Sequence, residues 1–216
     1  MAALEPRTVL LTGFEPFGGA MVNPSADAVT IAGRRWAGPE RLVTAVLPVA
    51  FERSADAITA LIAEHDPAVV IATGLAAGRS AVSIERIAVN LIDARIPDAD
   101  GAQPVDVPSM PSAASAAMST LPVKAIAGRI RAAGIPVELS LSAGLYVCNH
   151  VFMHAAAWAP GRGARAGFVH LPWGLGQAPD GEPELSVGTM AEALMIALRV
   201  ALDADHDPAT PSGPIS

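Results

Sequence analysis

Apolar positions along this chain fall into two kinds of segment, short continuous runs and longer stretches spaced for a helix. Thr8 to Thr12 is an unbroken apolar-rich run closed by Gly13, the pattern of a strand covered on both faces. After a glycine-punctuated loop, Asn23-Pro24-Ser25 predicts a helix start, with Asn23 as cap and Pro24 at the first helical position. Arg41 to Val49 reads as a second strand. Phe51, Ala55, Ile58 and Ile62 then recur at helical spacing until Asp66-Pro67, and Ala68 to Ala72 is a third strand running into Thr73-Gly74. Val82 to Ile92 carries apolar residues on both parities, so Glu85 is expected in a strand that is largely covered. Residues 98–119, rich in Pro, Ala, Ser and Asp, read as a long excursion rather than a linker between domains. Helix (Pro122 to Ala133), strand (Val137 to Leu141), helix (Val147 to Trp158), strand (Ala166 to Leu171) and helix (Val187 to Leu202) follow. A proline-bearing tail, 204–216, is expected to be disordered.

Strands that alternate with helices predict an α/β fold: a mainly parallel twisted sheet covered on both faces, in one domain over 1–203. Ligands of such sheets sit beyond the carboxyl ends of the strands. Gly13, Gly74, Gly144 and the segment after His170 all fall at or near such ends. Composition narrows the setting. A formal charge of -7 and the lack of any Lys/Arg-rich block exclude a nucleic-acid partner. Met190 to Leu202, the longest helix-like apolar stretch, is broken by Glu192 and Arg199, so no membrane span is expected. One cysteine in 216 residues can form no internal disulfide, and the opening residues show no basic segment followed by an apolar one. A reducing cytoplasm is the expected location.

The single thiol, Cys148, falls on the first turn of a predicted helix just after Gly144. The positive helix end is expected to lower its pKa, and backbone N–H groups there can cradle an oxyanion. Among five histidines, His65 and His206 fall at a helix end and in the tail. His150 shares a helix with Cys148 but points away from it, and His154 lies one face over. His170 ends a strand at the sheet edge where Cys148 is also expected, the distant-in-sequence arrangement of a nucleophile and its base. Glu85, a carboxylate in an apolar strand, needs a partner and suits the role of orienting the imidazole. Gly13 to Gly19 lacks the Lys and Ser/Thr of a phosphate loop and offers Phe14 and Phe17 instead, which on the residues alone read as plugs of the core before walls for a small flat ligand. HExxH, CxxC and GxSxG patterns are absent, so neither a metal nor a serine elbow is expected.

These segments together resemble the pyroglutamyl (pyrrolidone-carboxylate) peptidases from about Val9 to Leu202. The likeness rests on Thr12-Gly-Phe-Glu-Pro-Phe-Gly-Gly19 with Asn23-Pro24-Ser25, Glu85-Arg-Ile-Ala-Val-Asn90 and Asp93-Ala-Arg-Ile-Pro-Asp98. It continues in Ser119-Thr-Leu-Pro122, Ala143-Gly144, Val147-Cys-Asn-His150 and Phe168-Val-His-Leu-Pro172. The resemblance implies a three-layer α/β/α sandwich, a Cys148–His170–Glu85 triad, and no cofactor. It implies that Phe14 and Phe17 flank the lactam ring of an N-terminal pyroglutamate, that Asn23, Tyr146 and Val147 belong to the same pocket, and that Arg95 helps nearby. It further implies pyroglutamyl peptides as substrates and a homo-oligomer, commonly a tetramer. Three positions depart from the family pattern. Leu75 stands where a ligand-bonding glutamine is usual, Val49 where threonine is, and Tyr146 where phenylalanine is. These substitutions predict weaker or altered selectivity for the lactam. They leave two other readings in play, a cysteine amidohydrolase of another N-blocked or lactam substrate and a non-catalytic binding protein.

Overall fold

The computed structural model describes residues 6–209 and 211. In chain order the elements are β1 (Thr8–Phe14), α1 (Pro24–Arg35), β2 (Arg41–Leu47), α2 (Phe51–His65), β3 (Val69–Leu75), β4 (Val82–Glu85), β5 (Ile87–Val89) and β6 (Ala116–Met118). They continue with α3 (Val123–Ala132), β7 (Val137–Ser140), α4 (Val147–Trp158), β8 (Arg165–Leu171), β9 (Trp173–Gly174), β10 (Glu184–Leu185) and α5 (Val187–Asp203). Six strands form the main sheet in the order β2-β1-β3-β8-β4-β7. The first four run parallel, whereas β4 and β7 are parallel to each other and opposed to the rest.

Period-two alternation decides which helices cover which face. Val9, Leu11, Val69, Ile71, Ile84, Val169 and Leu171 face α1, α3 and α5. Leu10, Phe14, Val70, Ala72, Ala166 and Phe168, one position out of step, face α2 and α4. Both faces of the central strands are therefore buried, which is why they read as continuous apolar runs rather than alternating ones. Each large apolar side chain removed from water, such as Phe152 and Phe168 at zero exposure, contributes about 1.5–3 kcal/mol.

Polar N-caps start α1 and α5. Asn23 caps α1 by accepting from the Ser25 N–H at 3.1 Å, as its sequence context predicts. The start of α2 borrows its cap from 47 residues away: the Phe51 N–H donates to Asp98 Oδ2 at 2.8 Å. Asp98 Oδ1 also accepts from the Asp100 and Ala102 N–H groups, both at 2.9 Å. That anchors the excursion 98–119, which further holds β6 and a bridge between Ile92 and Val107.

Two expectations are corrected. The single strand over Val82 to Ile92 is two, because the Arg86 backbone turns a corner there. Its N–H donates to Ser140 O while its carbonyl accepts from the Ser119 N–H, handing the chain from the main sheet to the β5–β6 pair. The disordered tail does not begin at 204. Asp207 Oδ1 accepts from the Lys124 and Ala125 N–H groups at 2.8 and 2.9 Å, capping α3. Positions 210 and 212–216 lie outside the described residues. No helix among the described residues is long and apolar enough to cross a membrane.

Sheet order locates the place for a ligand. From β1 the chain proceeds to β2 on one side and β3 is added on the other, so the order reverses between β1 and β3. Pairing of β1 with β3 ends at Thr12↔Ala72, while β1 continues along β2 to Phe14. A crevice opens beyond these carboxyl ends, at the switch point where open α/β sheets bind ligands.

Candidate active site

Backbone packing explains the wall of the crevice nearest β1. A Cβ on Gly13 would lie 2.7 Å from the Ser25 carbonyl, so only glycine lets the start of α1 press this close. The Phe14 N–H donates to Ser25 Oγ at 3.0 Å, Ser25 Oγ donates to Asn23 Oδ1 at 2.8 Å, and Asn23 Nδ2 donates to Glu15 O at 2.9 Å. This lattice of bonds fixes the loop that carries Phe14 and Phe17. Asn23 is thus occupied by its own loop as well as lining the cavity.

That cavity holds about 150 Å³ and is lined by Phe14, Phe17, Ala20, Val22, Asn23, Val49, Leu75, Tyr146, Val147 and Cys148. A volume of this size accommodates a benzene-sized ring. Six of the seven pocket residues expected from the sequence are among its walls. Arg95 is not: it is exposed and borders a neighbouring cavity of about 460 Å³ with Asp93, Ile96, Gly144, Leu145 and Tyr146. Tyr146 stands between the two spaces, its hydroxyl donating to Pro97 O at 2.9 Å and its ring lying 5.2 Å from Phe51.

Strand register brings the reactive groups together. Ser83 is directly opposite His170 and Glu85 opposite Phe168 in the antiparallel β4–β8 pair, so Glu85 and His170 are diagonal neighbours on one face. Their side chains close that diagonal, with His170 Nδ1 and Glu85 Oε1 2.8 Å apart. On the other side of β8, His170 registers with Gly74 of parallel β3, and a Cβ built on Gly74 would meet the Cys148 sulfur at 2.8 Å. Registered residues project to the same face of the sheet. Sulfur, imidazole and carboxylate therefore lie in a row across β3, β8 and β4, with Cys148 carried in by the first turn of α4.

The electrostatics of this row are those of a buried cluster. Glu85 is fully buried and His170 is 4% exposed, whereas Cys148 is only half-buried and opens on the cavity. Burial pushes the Cys148 thiol up to about 12, and the Glu85 charge adds to the rise. Arg79 and the backbone N–H at Cys148 offset only part of it. Burial thus acts against the acidifying effect expected of the helix end. Burial likewise lowers the His170 pKa, against an opposing pull from Glu85. For Glu85, burial alone would raise the carboxyl. The hydrogen bond and charge of His170, joined by Ser140 and Arg79, reverse that and leave it below the ordinary carboxylate value.

Family comparison fits this geometry. A pyroglutamyl peptidase family model matches residues 7–204. The chain belongs to the pyroglutamyl peptidase family. Relatives named pyrrolidone-carboxylate peptidase include one from Cupriavidus pinatubonensis, 44% identical over 206 residues, covering 93% of this chain and 95% of the relative. Another, from Clavibacter michiganensis subsp. michiganensis, is 45% identical over 199 residues, covering 90% and 92%. Among solved structures, pyroglutamyl peptidase I from Bacillus amyloliquefaciens superposes with a TM-score of 0.90 at 37% identity, covering 95% of this chain and all of that one. Pyrrolidone carboxyl peptidase from Thermococcus litoralis gives 0.90 at 38%, covering 95% and 99%. The α/β/α architecture expected from the resemblance is that of these structures.

One residue of this cluster was missed in the sequence. Arg79 donates from Nη1 to Glu85 Oε1 at 2.7 Å and from Nη2 to Ser142 O at 3.0 Å. The signal was there to be used: a carboxylate buried in an apolar strand demands a cation, and Arg79 precedes Glu85 by only six positions. Asp93 and Arg95, in contrast, make no ion pair with each other, and both side chains stand at the surface.

Proposed function

We propose that this chain removes pyroglutamate from the N-terminus of peptides, with Cys148 as nucleophile, His170 as general base and acid, and Glu85 orienting the imidazole. The observation that carries this reading is the apolar ring-sized cavity with Cys148 in its wall, the sulfur beside Gly74, which registers with the Glu85-bonded His170. Phe14, Phe17, Leu75 and Val147 reward a ring without a charged amine. Asn23 and Tyr146 complete the walls.

Glu85 holds the proton of His170 on Nδ1, which leaves Nε2 to act as the base. Cys148 rests as a neutral thiol beside a neutral imidazole, because burial disfavours both charged forms. His170 takes the thiol proton as sulfur adds to the carbonyl that joins pyroglutamate to the next residue. Backbone N–H groups at the start of α4 hold the oxyanion; one such donor is typically worth about 3 kcal/mol of barrier. The imidazolium protonates the departing amine, and the C–N bond breaks to leave a thioester. Water, deprotonated by His170, then releases pyroglutamate and restores the thiol.

Two broader assignments accompany this reading. Ile96, Val105 and Val107, exposed by 50%, 56% and 39% along adjoining segments, favour a surface covered by another copy of the chain. A homo-oligomer, a tetramer by family resemblance, is checked by light scattering on the eluting peak. A working thiol without a disulfide partner favours a reducing cytoplasm.

The deciding assay is release of aminocoumarin from pyroglutamyl-aminocoumarin. Native protein turns it over and Cys148→Ala does not. Turnover that survives Cys148→Ala would refute the nucleophile, and a native protein active only on other N-blocked acyl-aminocoumarins would refute the substrate.

A further inference from the structure

We propose that Arg79 is a positioning residue of this site: one guanidinium clamps the Glu85 carboxylate to the loop before α4, and by sharing the carboxylate oxygen it limits the charge left to draw a proton onto His170. The proposal rests on the triad reading above.

Three observations converge. First, Arg79 Nη1 and His170 Nδ1 lie 2.7 and 2.8 Å from the same atom, Glu85 Oε1. The oxygen that orients the imidazole is thus already bonded to a permanent cation. Second, Nη2 of the same side chain donates to Ser142 O, in the loop that leads through Gly144 to Cys148. Arg79 therefore ties β4, which carries the carboxylate, to the segment that aims the thiol. Third, the chain is shaped to deliver it. Gly78 adopts φ +81°, a conformation that other residues rarely hold, and the Arg79 N–H closes a turn onto Ala76 O at 3.3 Å. This turn folds the guanidinium back over β4, leaving about a quarter of the side chain exposed.

Charge accounting gives the clamp its purpose. The titratable groups facing His170 are Glu85 from β4, Cys148 from α4 and Arg79 from the β3–β4 loop; β3 offers only Gly74. With Arg79 present, the resting cluster of guanidinium, carboxylate, imidazole and thiol is neutral, and internal proton transfer from sulfur to His170 keeps it neutral. Without Arg79 the resting cluster carries an uncompensated buried negative charge, which His170 relieves by taking a proton from solvent. An imidazole already protonated cannot accept the thiol proton. Arg79 is thereby what keeps the base free at lower pH. Its lowering effect on His170 and on Cys148 agrees in sign.

The experiment follows the His170 Cε1–H resonance with pH by NMR, assigned by its loss in His170→Asn, beside the pH profile of kcat/KM. In Arg79→Gln, the His170 midpoint and the acid limb of the profile move together to higher pH, by about one unit. Arg79→Lys, which restores the charge but not the second bond to Ser142, keeps the midpoint of the parent and loses part of kcat with little change in KM. A midpoint that stays or falls in a cooperatively melting Arg79→Gln overturns the proposal, as does an equal rise in Arg79→Lys. If Arg79→Gln does not fold, Arg79→Lys decides: a lowered kcat supports the clamp and a parental kcat overturns it. The NMR midpoint needs no substrate, so a parent protein inactive on pyroglutamyl-aminocoumarin would sink the function while leaving this test intact.

Discussion

Gly74→Ala is the sharpest probe of how tightly the reactive row is assembled. Gly74 is the registered neighbour of His170, and its φ is not among the positive ones, so alanine suits the backbone and meets a purely steric problem. The added methyl would stand 2.8 Å from the Cys148 sulfur where ordinary contact begins at 3.4 Å, so about 0.6 Å must be found. Phe168 Cζ at 3.1 Å and Phe14 Cδ2 at 3.5 Å close off the other directions, and these rings are buried. The sulfur must move, because it is held by a single rotatable side-chain bond and faces the open cavity. Overpacking of this kind costs about 1–3 kcal/mol of stability. For a chain of this length that lowers Tm by roughly 2–4 °C per kcal/mol. Catalysis suffers more: a displacement near 1 Å costs about 10²-fold, so kcat should fall roughly tenfold to a hundredfold. KM should change little, because the ring walls are untouched except at Phe14. Aminocoumarin release and a thermal melt measure both effects. A variant with kcat within about twofold of the parent would show that the thiol tolerates displacement, and the reasoning from strand register to catalysis would fail.

Other outcomes follow from the same geometry. Leu75→Gln places an amide in the cavity wall, and a regained hydrogen bond of about 1 kcal/mol should lower KM for pyroglutamyl-aminocoumarin roughly fivefold; a KM unchanged or raised would count against a missing ring contact at this position. The His150 ring meets that of His154 edge-on, with centroids 4.7 Å apart, its Nδ1 lies 2.7 Å from Ser109 Oγ, and burial, then the neighbouring His154, pushes its pKa down to about 4. The folded value lies below the unfolded one, so this contribution to stability is complete above pH 6.5 and is lost as pH falls toward 4, up to about 3 kcal/mol. Urea melts across that interval should show the loss in the parent and a flatter dependence in His150→Gln, and equal slopes would refute it.

Much of the architecture was readable because local and global signals agree. Continuous apolar runs in β1, β3 and β8 mark strands buried on both faces, and Asn23-Pro24 marks a helix start that the packing keeps. The placement of Cys148 and His170 at one rim of the sheet was readable for a topological reason: both follow or end strands whose carboxyl ends share that rim. What escaped was whatever depends on contacts between distant segments. The corner at Arg86 is set by Ser140 and Ser119, more than thirty residues away, and no local pattern marks it. Asp207 lies in a stretch composed like a tail, yet it satisfies the open N–H groups of α3, a need visible only once both are placed. Burial around Cys148, which works against the helix end, is likewise no local sequence feature. Arg79 escaped although its signal was local, because His170 by itself meets the demand of Glu85 for a partner.

The raised pKa of Cys148 also bears on how such a site ages. Thiolates attack peroxide and disulfide reagents, and a sulfur that burial holds in its protonated form has little nucleophilicity to offer them. With one cysteine in the whole chain, there is no neighbouring thiol to rescue an oxidised sulfur within the same molecule. Burial that keeps this thiol protonated thus protects the one cysteine of the chain, whose oxidation no other thiol of the molecule could reverse.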